Sequence, residues 1–272
     1  MKTTPTTTTT PITTTTPTTP TVTTPTTRRA RTATCLLTAL LTATPLLLTA
    51  CVPEQERLSA DCAIVVDGSG SGADTAKGFG AEEKLKSTVP KFLAGEKCRY
   101  VSYAPITAAS VASSCQVARM DIDPDADKRS DRESLWKQTR VLAEAAARKM
   151  LTCARQRQPG SDVLGGLERA AKAPRDGKGT YHVLVVSDFD QSDPDFRLSK
   201  FELETAAQRD TAVDALVAGR GLPELKDTTV HRVGFAMRGG RASPERVEQM
   251  GQFWQQLLEK EVKVGVDDEY GA

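Results

Sequence analysis

The stretch Ala63-Ile64-Val65-Val66-Asp67-Gly68-Ser69-Gly70-Ser71 passes from four apolar residues into a carboxylate and then into alternating glycine and serine. A short, largely β-branched run that ends this way reads as a buried strand delivering its last residue into a tight loop. Asp67, Ser69 and Ser71 alternate, so their oxygens can converge on one point, and an all-oxygen cluster suits a hard cation. A second stretch of the same kind is Tyr181-His182-Val183-Leu184-Val185-Val186-Ser187, followed directly by Asp188. Its apolar residues are continuous rather than alternating, as expected of a strand covered on both faces in a parallel sheet.

Working outward from these two strands, helices and strands alternate. Residues 81–94 read as a helix with Leu85, Val89 and Phe92 on one face; Pro90 is expected to kink or shorten it, and Gly95 to end it. Cys98–Ala104 is strand-like, and a further strand over about 110–120 is expected to fold back on it as a hairpin. A capping box, Ser130-Asp131-Arg132-Glu133, opens a helix that runs to about Cys153. Residues 161–171 and 201–218 read as helices and 229–237 as a strand. Ser243-Pro244 starts a last helix carrying Val247, Met250, Trp254, Leu257 and Leu258. This order predicts an α/β fold: a doubly wound, mostly parallel sheet flanked by helices, with one antiparallel edge strand. Ligands of such sheets sit beyond the C-terminal strand ends at a topological switch point. There Asp67, Ser69 and Ser71 are expected to meet Ser161, at the start of a helix, and Asp188.

In these three elements the chain resembles the von Willebrand factor A domain family, whose metal-ion-dependent adhesion site combines an Asp-x-Ser-x-Ser loop with a later Thr and a later Asp. Asp67, Ser69 and Ser71 match the loop, Ser161 keeps the hydroxyl of the Thr, and Asp188 matches the later Asp. The family commonly has Thr-Asp-Gly at that last element; this chain has Ser187-Asp188-Phe189. The resemblance spans about residues 61–262. It implies a Rossmann-like sheet and Mg²⁺ or Mn²⁺ held by Asp67, Ser69, Ser71, Ser161 and Asp188. It further implies binding of a protein partner that offers an acidic residue, and no turnover. A metal-free scaffold of the same fold is the alternative. A second alternative is enzymatic: Asp188-Phe189-Asp190 after an apolar strand resembles the first motif of haloacid-dehalogenase-like phosphatases, which would make Asp188 a nucleophile and Asp190 an acid/base beside Mg²⁺. That motif normally begins its domain, and this reading leaves Asp67–Ser71 unused. Dinucleotide binding is disfavoured, because Ser102-Tyr103 stand where an acidic residue is needed and Asp67 would repel a pyrophosphate.

The N-terminus has a different character. Residues 1–27 are almost wholly Thr and Pro, with nothing to bury. Arg28, Arg29 and Arg31 precede an apolar stretch, the order of an export signal. That stretch ends Leu48-Thr49-Ala50-Cys51, which resembles the lipobox of bacterial lipoproteins and implies cleavage before Cys51 and its lipidation. An uncleaved transmembrane anchor is the alternative, and both readings put the following domain outside the cytoplasm. The expected organisation is a leader and signal over 1–50, a tether over 51–60, the domain over 61–265 and a tail over 266–272. Cleavage would remove four basic residues (Lys2, Arg28, Arg29, Arg31) and no acidic one, taking the net charge from +1 to −3. Such a chain has no polyanion-binding character, and no nucleic-acid partner is expected.

Four cysteines, Cys62, Cys98, Cys115 and Cys153, remain for two disulfides in an exported domain. The hairpin over 98–120 would pair Cys98 with Cys115 and leave Cys62 with Cys153. No CxxC occurs, and His182 and His231 are far apart in sequence, so a zinc site is not expected and both rings read as satisfied strand residues. The acidic run Asp121–Asp127 reads as a solvated turn, since Ala126 and Arg132 occupy the glycine and final glutamate positions of a calcium loop. Asp190, Asp193 and Asp195 read as a polar loop.

Overall fold

The computed structural model describes residues 56–73, 78–125, 131–157, 160–176, 179–237 and 243–271. The leader, the signal stretch, Cys51 with the first half of the tether, and Ser130 of the expected capping box lie outside them. The described residues belong to one unit, Pro53–Ala272.

Six strands form one sheet in the order β3-β2-β1-β4-β5-β6. They are β1 (Ala60–Asp67), β2 (Cys98–Ile106), β3 (Met120–Asp121), β4 (Tyr181–Val186), β5 (Thr228–Val233) and β6 (Gly265–Asp267). All neighbours are parallel except β2 and β3. The sheet is therefore mixed, mostly parallel and doubly wound, with a single antiparallel edge strand. The chain leaves β1 toward β2 on one side and later returns to its other side as β4. The gap between the ends of β1 and β4 is therefore the switch point.

Residue alternation along the strands feeds two cores. Ala63, Val65, Val183, Val185 and Val230 face α3 (Val163–Ala171), α4 (Ala206–Val217) and α5 (Pro244–Gln255). Cys62, Ile64, Val66, Leu184, Val186 and Val233 face α1 (Ala81–Gly95) and α2 (Arg132–Arg157). The continuous apolar runs of β1 and β4 follow from this: each alternate residue has a helix layer to bury it. Fully burying one Ile or Val side chain contributes roughly 1.5–3 kcal/mol.

Several local expectations change. Pro90 lies inside α1, which nevertheless runs unbroken to Gly95. Leu85, Val89, Phe92 and Leu93 are all fully buried, and that packing offsets the roughly 3 kcal/mol an internal proline costs. Helix α4 starts at Ala206, not at 201, because Thr205 and Gln208 form a capping box there. The last helix continues past Gln255 as a π-helical turn, Gln256–Val262. The stretch read as a tail contributes β6, which pairs with β5.

The hairpin does not form. Residues 107–119 are turn and coil, and only Met120–Asp121 pairs with β2. The Arg169 guanidinium donates to the carbonyls of Ser110, Ser113 and Cys115. Ser110 meanwhile donates its N–H to Asp162 Oδ2 and its hydroxyl to the Asp162 carbonyl. The backbone acceptors a strand would need are thus drawn toward α3. The disulfides follow this topology: Cys62 bonds Cys98 across the parallel pair β1 and β2, and Cys115 bonds Cys153 of α2. The expected pairs Cys98–Cys115 and Cys62–Cys153 are therefore corrected. Two disulfides mark a protein of an oxidising compartment outside the cytoplasm. No helix among the described residues is long and apolar enough to cross a membrane.

The acidic run is also more than a solvated turn. Asp123 is 1% exposed and accepts hydrogen bonds from the Leu58 N–H (3.1 Å) and Trp136 Nε1 (2.9 Å). It pins the end of the tether to the start of α2.

Candidate metal centre

Asp67 is the last residue of β1 and has no exposed surface. The chain turns away sharply at Gly68, where a Cβ would lie 2.5 Å from the Ala154 carbonyl carbon of α2. Only glycine allows the loop this close to the helix. The turn folds back on itself: the Ser69 N–H donates to Asp67 Oδ1 at 2.8 Å, and the hydroxyls of Ser69 and Ser71 lie 2.8 Å apart. Ser71 is the outermost of the three, half-buried where Ser69 is buried.

Ser161 arrives from the start of α3, 94 residues later, and donates its hydroxyl to Asp67 Oδ2 at 2.9 Å. Its position is fixed on both sides. A two-way backbone bridge joins it to Ser192. Asp162 next to it caps α3 through the Gly165 N–H and is held by Gln191 and Arg220. Arg220 also binds Asp193, whose carboxylate takes the Gln191 amide and the N–H groups of Asp195 and Phe196. These contacts hold the Asp193 carboxyl below its ordinary range against its burial, so Asp193 supports Ser161 structurally.

The end of β4 completes the cluster. Ser187, fully buried, donates its hydroxyl to Asp67 Oδ2 at 2.6 Å and accepts the Phe189 N–H at 3.0 Å. Asp188 is 1% exposed; its Oδ1 accepts the Asp190 N–H at 3.1 Å, and its Oδ2 accepts no hydrogen bond from the described residues. All five residues expected at the site thus come to one end of the sheet. Ser187 joins them, although the sequence drew attention only to its departure from Thr. Its signal was available: a hydroxyl directly before the carboxylate at a strand end.

Phe189 answers the question raised by the missing glycine. Its φ is +60°, the left-handed conformation that glycine favours. A phenylalanine bears that cost, of order 1 kcal/mol or more, because it is overdetermined by its surroundings. Its ring packs on Phe235 and Trp254 with centroids 5.5 and 5.3 Å away, and Trp254 Nε1 donates to its carbonyl at 2.8 Å.

Electrostatically the cluster is unbalanced. Burial, and then the Asp188 carboxylate, push the Asp67 carboxyl up from 3.8 to about 6, with the Ser187 and Ser69 contacts acting the other way. Two buried acids, one with a bare oxygen, and three serine hydroxyls make a donor set of oxygen alone. That set fits Mg²⁺ or Mn²⁺ and excludes soft metals.

At the opposite end of the sheet the fold brings together residues that looked isolated. His182 and His231 are in contact, with Glu96 beside both. The parallel register of β4 and β5 produces this juxtaposition, and linear spacing carries no trace of it.

No protein-family model matches the chain, and no curated protein matches it. Among solved structures, a mutant of the PilB minor pilin from Streptococcus sanguinis is similar at 10% identity, covering 80% of this chain and 59% of its own length, with a TM-score of 0.44. The pilus adhesin SpaC from Lactobacillus rhamnosus GG, in an open conformation, is 12% identical, with coverages of 79% and 28% and a TM-score of 0.39. The human COPII-coat protein Sec24c is 9% identical, with coverages of 79% and 30% and a TM-score of 0.32. The chain therefore spans less than two thirds of each of these proteins.

Proposed function

We propose that this chain is an exported lipoprotein, anchored through Cys51, whose von Willebrand factor A-like domain binds a protein partner through a divalent cation. Asp67, Ser69, Ser71, Ser161 and Asp188 would hold Mg²⁺ or Mn²⁺, directly or through water. A cation held largely by neutral hydroxyls keeps enough positive charge to accept a carboxylate from a partner. The residues of this chain do the rest. Ser187 orients Asp67, the Gly68 turn aims the two loop serines, and the Asp162–Arg220–Asp193 network holds Ser161 in place.

One observation carries this reading: Asp67 and Asp188 are buried side by side at the switch point, and Asp188 Oδ2 has no hydrogen-bond donor among the described residues. A buried carboxylate oxygen without a partner costs several kcal/mol unless a cation or water meets it. The role is binding rather than turnover, and the partner is a cell-envelope or extracellular protein presenting an acidic side chain. Calorimetric titration of Mg²⁺ and Mn²⁺ into wild type and Asp67→Ala tests the cation. Saturable binding by wild type alone is expected, and none to wild type with either ion refutes it. Capture of envelope proteins with Mg²⁺ and with EDTA tests the partner; equal recovery in both would favour a metal-free scaffold. The hydrogen bonds already made by both oxygens of Asp67 are the feature that scaffold would rely on.

A further inference from the structure

We propose that Glu96, His182 and His231 form a second cation site, chemically distinct from the first, that takes Zn²⁺ or a similar late first-row divalent metal with three protein ligands and one open position. His182 is the second residue of β4, whereas Asp188 lies beyond its other end. The six-residue step from His182 to Asp188, most of it strand, separates these two residues by up to about 20 Å.

The geometry fits a tetrahedral ion. His182 Nδ1 lies 3.1 Å from His231 Nε2 and 3.0 Å from Glu96 Oε2, and His231 Nε2 lies 3.9 Å from Glu96 Oε1. Ligands at the usual zinc distances on a tetrahedron are about 3.3 Å apart. The two nitrogens face different oxygens of Glu96, and with one ligand atom taken from each residue all three lie within 4.8 Å of one another, so a small adjustment of the carboxylate brings them to the edges such an ion requires. Without a cation the arrangement is short of protons. With both imidazoles neutral, a single N–H between the two rings must serve a lone pair and a carboxylate at once.

Two of the three ligands also have the outer partner that metal ligands use for orientation. His182 Nε2 contacts Thr180 Oγ1 at 2.9 Å. The Tyr270 hydroxyl donates to Glu96 Oε1 at 2.8 Å. For the third, His231 Nδ1 is buried with no hydrogen bond among the described residues, and Asp267 Oδ2 stands 3.7 Å away, where a small shift would let it accept the ring N–H. Gly95 makes room for this shell, because a Cβ there would run into the Tyr270 hydroxyl. Phe92 and Tyr270 pack edge-on against the His231 ring and fix its plane. The side chains of His182 and Glu96 are 14% and 17% exposed, which gives the fourth position access to water. A metal here would tie the end of α1 to β4, β5 and the C-terminal segment.

The test uses the full chain, stripped with EDTA and dialysed. Co²⁺ should bind with the intense visible absorption of a four-coordinate ion and be displaced by one equivalent of Zn²⁺. Zn²⁺ affinity should be submicromolar by competition with a chromogenic chelator. Glu96→Gln and His182→Asn should each weaken it at least tenfold, while Asp67→Asn should leave it unchanged. The last variant separates this site from the one at the other end of the sheet. Failure of folded wild type to bind Zn²⁺ at micromolar concentration overturns the proposal. So does undiminished affinity in both ligand variants. Circular dichroism on each variant distinguishes lost ligation from lost folding, and the wild-type titration decides the question even if a variant unfolds.

Discussion

Replacing Asp67 with asparagine should stabilise the metal-free protein at neutral pH. The carboxyl titrates near 3.8 when unfolded and at about 6 in the fold, where burial and the Asp188 carboxylate oppose its charge. A folded pKa above the unfolded one means that the folded state binds this proton more tightly. The group's contribution to stability is thus fully present below about pH 3.8 and is lost as pH rises through about 6. Two units correspond to roughly 3 kcal/mol by about pH 7.5. The asparagine side chain carries no charge and escapes that loss, though it returns part of the gain: if its one oxygen keeps the Ser161 and Ser187 hydroxyls, which share Asp67 Oδ2, its NH2 faces the Ser69 N–H that Asp67 Oδ1 accepts. The net expectation in EDTA is a gain of roughly 1–3 kcal/mol over wild type at about pH 7.5, shrinking by about 3 kcal/mol toward pH 4. Urea denaturation of both proteins across that range measures the difference and cancels other titrating groups. Added Mg²⁺ should raise wild-type stability and leave the variant unmoved. A wild-type-to-variant difference that stays constant from about pH 4 to pH 7.5 would refute the argument that Asp67 is a strained, buried acid.

Three further outcomes are expected. Gly68→Ala should cost about 1–3 kcal/mol in thermal denaturation, because its methyl meets the Ala154 backbone, and should weaken Mg²⁺ binding by moving Ser69 and Ser71. Peptide mapping without reduction should recover Cys62 with Cys98 and Cys115 with Cys153, and the Cys115→Ser/Cys153→Ser double variant should lose about 2–4 kcal/mol. Arg169→Met should cost roughly 1.5–3 kcal/mol by releasing the carbonyls of Ser110, Ser113 and Cys115, with faster amide exchange confined mainly to residues 108–116.

What could be read in advance depended on whether the physics was local. The strands β1 and β4 declare themselves because burial on both faces demands continuous apolar residues, and Asp67 and Asp188 declare themselves because each ends such a run. The alternation of Asp67, Ser69 and Ser71 is a local geometry, so the loop's convergence was legible too. The path of residues 107–119 was not. It is set by Arg169, a side chain from a later helix, and nothing near Cys98 or Cys115 signals that their connecting backbone is engaged elsewhere. The two histidines show the same limit more sharply. Their contact depends on the register of β4 against β5, with His182 opposite Thr229 and His231 opposite Leu184, and on α1 ending where Glu96 can reach both. Strand β6 escaped notice because three residues, Gly265-Val266-Asp267, are too few to show a period.

The two borders of the sheet are unusually slight: β3 has two residues and β6 has three. A long open border presents a row of unpaired N–H and C=O groups on which a second chain can add a strand. If the protein is tethered at Cys51, its copies share the plane of a membrane at high local concentration, where border-to-border pairing into ribbons would be a standing hazard. Borders this short offer too few backbone groups for such pairing to compete with water. Crowded molecules would then remain separate, each with the Asp67 end of its sheet left open to a different kind of contact.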